Sequence, residues 1–346
     1  MRAPAGNSAR GDVNMATSEF EIIRRYFAGR GIVRGDVVAG IGDDAAVLHI
    51  PSDRDLVIAV DTLVAGVHFP PETRPEDVGY KSLAVNLSDA AAMGAVPAWA
   101  TLALTLPHAD EAWLSAFADG FFGLAEQCGV QLIGGDTTRG PLTVSVQVQA
   151  LARKGRAVWR SGARPGDIVY VTGAVGDAAL ALHARQHKLG LPDAHREYLS
   201  SRLSRPQPRC KEGEALCGLA SAMIDVSDGL AADLTHILEA SGVGATLNVH
   251  EIPLSPAFSA VSAAENYLLD EDGRWRLALG VGDDYELCFT VPAAQRKRVE
   301  ALFARFPCGC RAIGVIEQTP GLRLKQPDGS PLSLGRAGYD HFVPDP

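Results

Sequence analysis

The sequence predicts a mixed α/β protein of two domains, and three observations predict it. Short β-branched apolar runs alternate with amphipathic stretches at helical spacing along most of the chain. A length of 346 residues is ample for two cores. A turn-rich, basic segment from Arg153 to Gly166 interrupts the alternation. The expected division is a disordered extension over 1–16, a first domain over 17–152 and a second over 153–346. Residues 1–14 (MRAPAGNSARGDVN) are small and polar, with no apolar core of a secretory signal.

Each element has a local reason. Ser18 and Glu21 have capping-box spacing, and Phe20, Ile23 and Phe27 form a helical stripe behind them. Gly29 to Gly35 breaks that helix, and Val37 to Ile50 reads as a loop feeding a strand. Leu56 to Val60 is a buried strand by length and branching, ending at Asp61. Pro75 to Met93 reads as a helix with Ser82, Asn86 and Asp89 on one face and Leu83, Leu87 and Ala91 beside them. Trp99 to Leu106 is a strand; Glu111 to Cys128 is a helix stopped by Gly129. Val130 to Ile133 is a strand ending in Gly134-Gly135-Asp136, and Thr143 to Leu151 alternates as another.

Beyond the basic segment, Asp167 to Thr172 is a strand and Gly176 to His187 a helix. Arg202 to Pro208 reads as a loop, Cys210 to Leu219 as a helix, and Ser221 to Ile224 as a strand running into Asp225. Leu230, Leu234, Ile237 and Leu238 mark an amphipathic helix. Trp275 to Leu279 leads into Gly280-Val281-Gly282-Asp283-Asp284, followed by the strand Leu287 to Val291. A helix over Val299 to Phe306 and a strand over Arg311 to Ile316 complete the pattern.

Composition excludes several function classes. A net charge of −9 gives no bulk reason to bind nucleic acid. No run of eighteen apolar residues occurs, so no membrane helix is expected. The six cysteines form no C-x-x-C pair and read as reduced thiols of a cytoplasmic protein.

The informative feature is where the aspartates fall. Asp43-Asp44 follow Gly-Ile-Gly, Asp61 ends a strand, Asp89 lies on a polar helix face, Asp136 follows Gly-Gly, and Asp225 and Asp228 bracket a strand-to-helix turn. Asp283-Asp284 follow Gly282. One such residue alone is a turn residue or cap. Gathered together, they must be paired or must bind cations. All-oxygen ligation favours Mg²⁺, Mn²⁺ or Ca²⁺, and Mg²⁺ completes its shell with water and phosphate oxygens. The P-loop, the protein-kinase signatures and the dinucleotide fingerprint are absent.

At these residues the chain resembles the thiamine-monophosphate kinase family of the aminoimidazole-ribonucleotide-synthetase-like superfamily. The matching segments are SEFEIIRRYF, GIGDDAAVL, VDTLVAGVHF, YKSLAVNLSDAAAMGA, LIGGDTTRGPL, IDVSDGLAADL, GDDYELCFTV and GYDHF, from Ser18 to Phe342. The resemblance implies a dimerising N-terminal α/β domain, a C-terminal α/β domain and a cleft for ATP and several Mg²⁺ ions. It implies direct in-line phosphoryl transfer from ATP to thiamine monophosphate, assisted by metal and without a protein acid or base. By the same resemblance Asp44, Asp61, Asp89, Asp136, Asp225 and Asp228 match metal positions. Gly135, Asp136, Arg160 and Ser227 match ATP contacts, and His68, Asp283 and Tyr339 match acceptor contacts.

Two departures stand out. Ala59-Val60 replaces a hydroxyl-bearing pair before Asp61, which leaves only backbone carbonyls as ligands there, and Asp283 replaces a glutamate. The competing readings are another ATP-dependent superfamily enzyme and a non-catalytic, Mg-dependent sensor of nucleotides or thiamine phosphates.

Overall fold

Ser18 closes the expected capping box with Glu21 and starts α1 (Glu19–Ile22). The helix then widens into a π turn over Ile23–Phe27, where the Ala28 N–H donates to the Ile23 carbonyl at 2.8 Å. The wider turn rotates the apolar stripe, so Ile22, Tyr26 and Phe27 are buried while Phe20, expected inside, is exposed. The structure, a computed structural model, describes residues 18–264, 271–335, 338 and 342; the extension expected over 1–16 lies outside them.

The segment read as a loop forms a small ribbon of β1 (Val37–Ala39) and β2 (Val47–Leu48). There follow β3 (Arg54–Val64), α2 (Pro75–Ala92), β4 (Val96–Leu106), α3 (Glu111–Cys128), β5 (Gln131–Arg139) and β6 (Thr143–Arg153). Four of these strands form a sheet in the order β3-β6-β4-β5, with only β4–β5 parallel. Val144, Val146, Val148 and Ala150 of β6 meet α2 and α3 in one apolar core. On the other side of edge strand β3, Leu56, Ile58 and Val60 alternate outward and are exposed.

The second half contains β7 (Ile168–Thr172), α4 (Asp177–Gln186), α5 (Asp193–Ser204), α6 (Cys210–Leu216), β8 (Ala222–Asp225), α7 (Leu230–Ser241), β9 (Gly244–Asn248), α8 (Pro256–Ser262), α9 (Glu271–Gly280), β10 (Leu287–Val291), α10 (Arg296–Phe303), β11 (Cys310–Glu317), β12 (Gly321–Lys325) and β13 (Pro331–Leu332). Its sheet runs β13-β12-β9-β11-β7-β10-β8, antiparallel except β9–β12. One core joins strands β7, β8 and β9 to α4, α7 and α8. A smaller one stacks Tyr170 on Phe289 and Phe289 on Phe303, and reaches Ala91 and Ala92 at the end of α2. That cluster fastens the two halves together.

Two strand ends fall elsewhere than expected. β3 continues past Asp61 to Val64, with Asp61 opposite Val146. β5 runs through Gly134-Gly135-Asp136, because the parallel ladder with β4 persists beyond a shift at Ala100/Thr101. Gly135 permits this: a Cβ there would lie 1.9 Å from the Leu102 carbonyl oxygen. Helix α5 lies mostly in a stretch for which no element was expected and overlaps the loop expected over Arg202 to Pro208 only at 202–204; only Leu199 of it is buried, so its apolar period is faint. The short elements β9, α8, β12 and β13 carried no pattern strong enough to be expected.

All six cysteines are free, and Cys288 is fully buried. No helix among the described residues is long and apolar enough to cross a membrane.

Candidate active site

Helix α2 is the axis of the site. It packs on α3, β3, β6, α6 and β8, which buries most of its length. Lys81, Ser82, Asn86 and Ser88 are all buried. The Asn86 amide donates to the Ser82 carbonyl at 3.1 Å, and its Oδ1 accepts from the Asp61 N–H at 2.9 Å. One asparagine thus ties β3 to α2 at the position of an aspartate. The Asp61 and Asp89 carboxyls are close enough to perturb each other's ionisation.

Asp225 ends β8, opposite Leu287 of β10, and is buried. The turn after it is strapped to the loop before β10. The Asp283 N–H donates to the Ser227 carbonyl and the Tyr285 N–H to the Val226 carbonyl, both at 2.8 Å. Gly282 makes that approach possible, since a Cβ there would lie 1.7 Å from the Ser227 oxygen. Asp233 of α7 reaches back to accept from the Asp228 and Gly229 N–H groups at 3.0 and 3.1 Å.

Four predicted ligands, Asp61, Asp89, Asp225 and Asp228, therefore act on one another electrostatically. Burial pushes the Asp89 carboxyl up to about 8, with Asp225 and Asp61 adding to it and Arg160 opposing. Burial raises Asp225 to about 6; the Ser88 hydroxyl and Arg160 oppose, and Asp61 adds. Asp61 is raised by burial and by Asp228, and Asp233 is raised to about 8 by burial and by Asp225 and Asp228. Arg160 is exposed, in the segment whose Trp159 carbonyl accepts from the Met223 N–H. Ser227 is half-buried in the same turn.

The other two predicted ligands are more open to solvent. Asp44 and Asp136 are exposed, and among the described residues neither carboxylate has a hydrogen bond to those four. Ala59 and Val60 lie within the β3–β6 ladder opposite Val148 and Gln147. Tyr339 lies outside the described residues. A cavity of about 650 Å³ opens beside Asp228, walled by Ala231, Thr235, Leu322 and Leu334.

A second cluster joins two of the predicted acceptor contacts. The His68 Nδ1 accepts from the Val64 N–H at 3.0 Å, which places the proton of the neutral ring on Nε2. The Lys81 ammonium donates to Asp283 Oδ2 at 3.0 Å and lies 3.5 Å from the His68 carbonyl oxygen. The Tyr285 hydroxyl donates to Asp283 Oδ1 at 3.0 Å. Tyr285 and Asp233 escaped the sequence reading, which noted Lys81 only as one of the few bases near the aspartate motifs. For Lys81 a signal existed: a lysine inside a helix this apolar is nearly always paired.

Hard oxygen donors, packed out of water and mutually repelling, fit Mg²⁺. Among the described residues no group of three or more His, Cys, Asp or Glu side chains forms a ready-made metal cage. Mg²⁺ does not require one, because it is usually held by one or two carboxylates together with water and substrate phosphates.

The chain matches the AIR synthase related N-terminal domain over residues 42–152 and the corresponding C-terminal domain over 164–326. It is 48% identical to the thiamine-monophosphate kinase of Escherichia coli strain K12, over 95% of this chain and 99% of that one. The structure of thiamine-monophosphate kinase from Stenotrophomonas maltophilia K279a is 47% identical, with a TM-score of 0.79 over 86% of this chain and 92% of that one. The structure of AaThiL complexed with AMPPCP and TMP is 30% identical, with a TM-score of 0.75 over 87% and 92%. Matching domain models, sequence and fold together place this chain in the thiamine-monophosphate kinase family.

Proposed function

We propose that this protein transfers the γ-phosphoryl group of ATP to thiamine monophosphate, giving ADP and thiamine diphosphate. The observation that carries the reading is the group Asp61, Asp89 and Asp225, whose carboxyls are raised by burial and by neighbouring carboxylates, with Asp228 acting on Asp61. The relatives named for this activity, and a relative solved with an ATP analogue and TMP, support the same substrates.

Asp61, Asp89, Asp225 and Asp228 would hold Mg²⁺, joined by the exposed Asp44 and Asp136. When bound, Mg²⁺ neutralises phosphate charge and brings donor and acceptor phosphates together against their repulsion. The chain's own groups bind and orient. Gly135 and Ser227 offer backbone and hydroxyl contacts to ATP, and Arg160 a forked donor to its phosphates. His68, Asp283 and Tyr339 contact the acceptor. An ionised acceptor phosphate already carries the nucleophilic oxygen. It attacks the γ-phosphorus in line, the bond to the ADP oxygen breaks, and no protein base is needed.

The two units over 17–152 and 153–346 meet at this cleft in our reading. The exposed apolar row Leu56, Ile58 and Val60 supports pairing of two N-terminal sheets in a homodimer, since a contiguous apolar face on a strand invites a partner. Free thiols support a cytoplasmic location. The test is chromatographic: ATP and thiamine monophosphate should give stoichiometric ADP and thiamine diphosphate only with Mg²⁺. Mg-dependent ATP binding without thiamine diphosphate would reject the reaction.

A further inference from the structure

Residues 283–286 clasp the two halves, and their side chains alternate between them. Asp283 pairs with Lys81 of α2, and Tyr285 is buried in the first-half core. Asp284 instead accepts from the Gly176 N–H at 3.0 and 2.9 Å, and Glu286 is gripped by Arg202 and Arg209. Asp283 and Tyr285 have φ of +71° and +52°, a left-handed conformation that a bulky residue rarely adopts. Such backbone persists where the surroundings over-determine it, as the clasp does here.

The Lys81 side chain is 4% exposed and Asp283 is 29% exposed. Lys81 and Tyr285 engage one carboxylate oxygen each, so both oxygens keep acceptor capacity on a side chain still open to the cleft. We propose that Lys81 and Tyr285 are positioning residues for acceptor recognition: they fix the Asp283 carboxylate across the domain junction so that it accepts from a ring amine of the acceptor substrate. This rests on the assignment of Asp283 as an acceptor contact. Asp89 lies eight residues along α2 from Lys81, about 12 Å by helical rise, so loss of Lys81 should spare the ATP end of the site.

Steady-state kinetics of Lys81→Met, Lys81→Arg, Tyr285→Phe, Asp283→Asn and Lys81→Met/Asp283→Asn test this. Lys81→Met should raise the thiamine monophosphate KM about tenfold, the scale of one charge-assisted bond, with the ATP KM within about twofold. Lys81→Arg should recover part of the loss, and Tyr285→Phe, which keeps the ring, should raise the same KM. The double variant should be no worse than Asp283→Asn, because both changes remove one contact. Equal rises in both KM values, or additive losses in the double variant, would overturn the positioning role while Asp283 keeps its own. An unchanged acceptor KM in Asp283→Asn would remove the acceptor assignment itself, and the inference with it. If Lys81→Met does not fold, Tyr285→Phe decides.

Discussion

Glu286 and Asp89 are both carboxylates withdrawn from water, and they end in opposite states. Glu286 accepts from Arg209 Nε and Nη2 at 2.7 and 2.6 Å, from Arg202 at 2.8 Å and from Thr172 at 2.6 Å. Burial opposes its ionisation, yet these partners hold it below the ordinary glutamate value. Asp89 has other carboxyls for neighbours and Arg160 at a distance, and burial with that repulsion drives it up to about 8. The difference separates a carboxylate whose partners are guanidiniums from one whose neighbours are mostly carboxylates, as the proposed metal-binding role requires. The fold itself supplies every partner of Glu286, whereas under the proposed function the group at Asp89 would be completed by Mg²⁺.

Breaking each cluster should therefore fail differently. Asp89→Asn should cut turnover by about a thousandfold or more at saturating Mg²⁺, since it removes a ligand to charge stabilisation of several kcal/mol. Circular dichroism should show the fold intact, and wild-type turnover would sink the assignment. Glu286→Ala should instead cost about 3–5 kcal/mol of unfolding free energy, because it strands two buried guanidiniums; denaturant melts measure it.

The pH response sharpens the contrast. Asp89 and Asp233 have folded values near 8 against 3.8, so the folded state holds protons that the unfolded state has released. Metal-free stability should fall as pH rises from about 4 to 8. Glu286 has the opposite sign: its contribution is present above the unfolded value of 4.5 and is lost as pH falls through its lower folded value. Melting temperature against pH for wild type and Asp89→Asn should show a weaker neutral-range decline in the variant. An identical slope would mean that Asp89 is not carrying the proton.

Smaller effects are expected at the edges of the site. His68→Ala should raise the thiamine monophosphate KM more than that of ATP, and equal effects would deny it a substrate-specific role. Ile58→Asp, on the exposed face of β3, should shift sedimentation toward the monomer with the fold unchanged; an unaltered assembly state would remove that face from the dimer contact.

Local pattern reached far in this chain. The capping box at Ser18, the Gly129 stop of α3 and the α2 face of Ser82, Asn86 and Asp89 all follow from neighbours a turn apart. The resemblance carried by the aspartate motifs pointed to the family. Strand ends were less legible: β3 and β5 continue past Asp61 and Gly135 because partner strands supply a ladder that the strand's own residues do not announce.

By itself, the sequence determined most of the longer elements and the acidic residues available for an all-oxygen donor set, because helix period, strand alternation and ligand chemistry are local properties. Tertiary structure decided which carboxylates lose water together and which receive arginines. It also decided that Lys81 would meet Asp283, a partner 202 positions away. Burial and Coulomb coupling depend on what folds beside a residue, and neither acts along the chain.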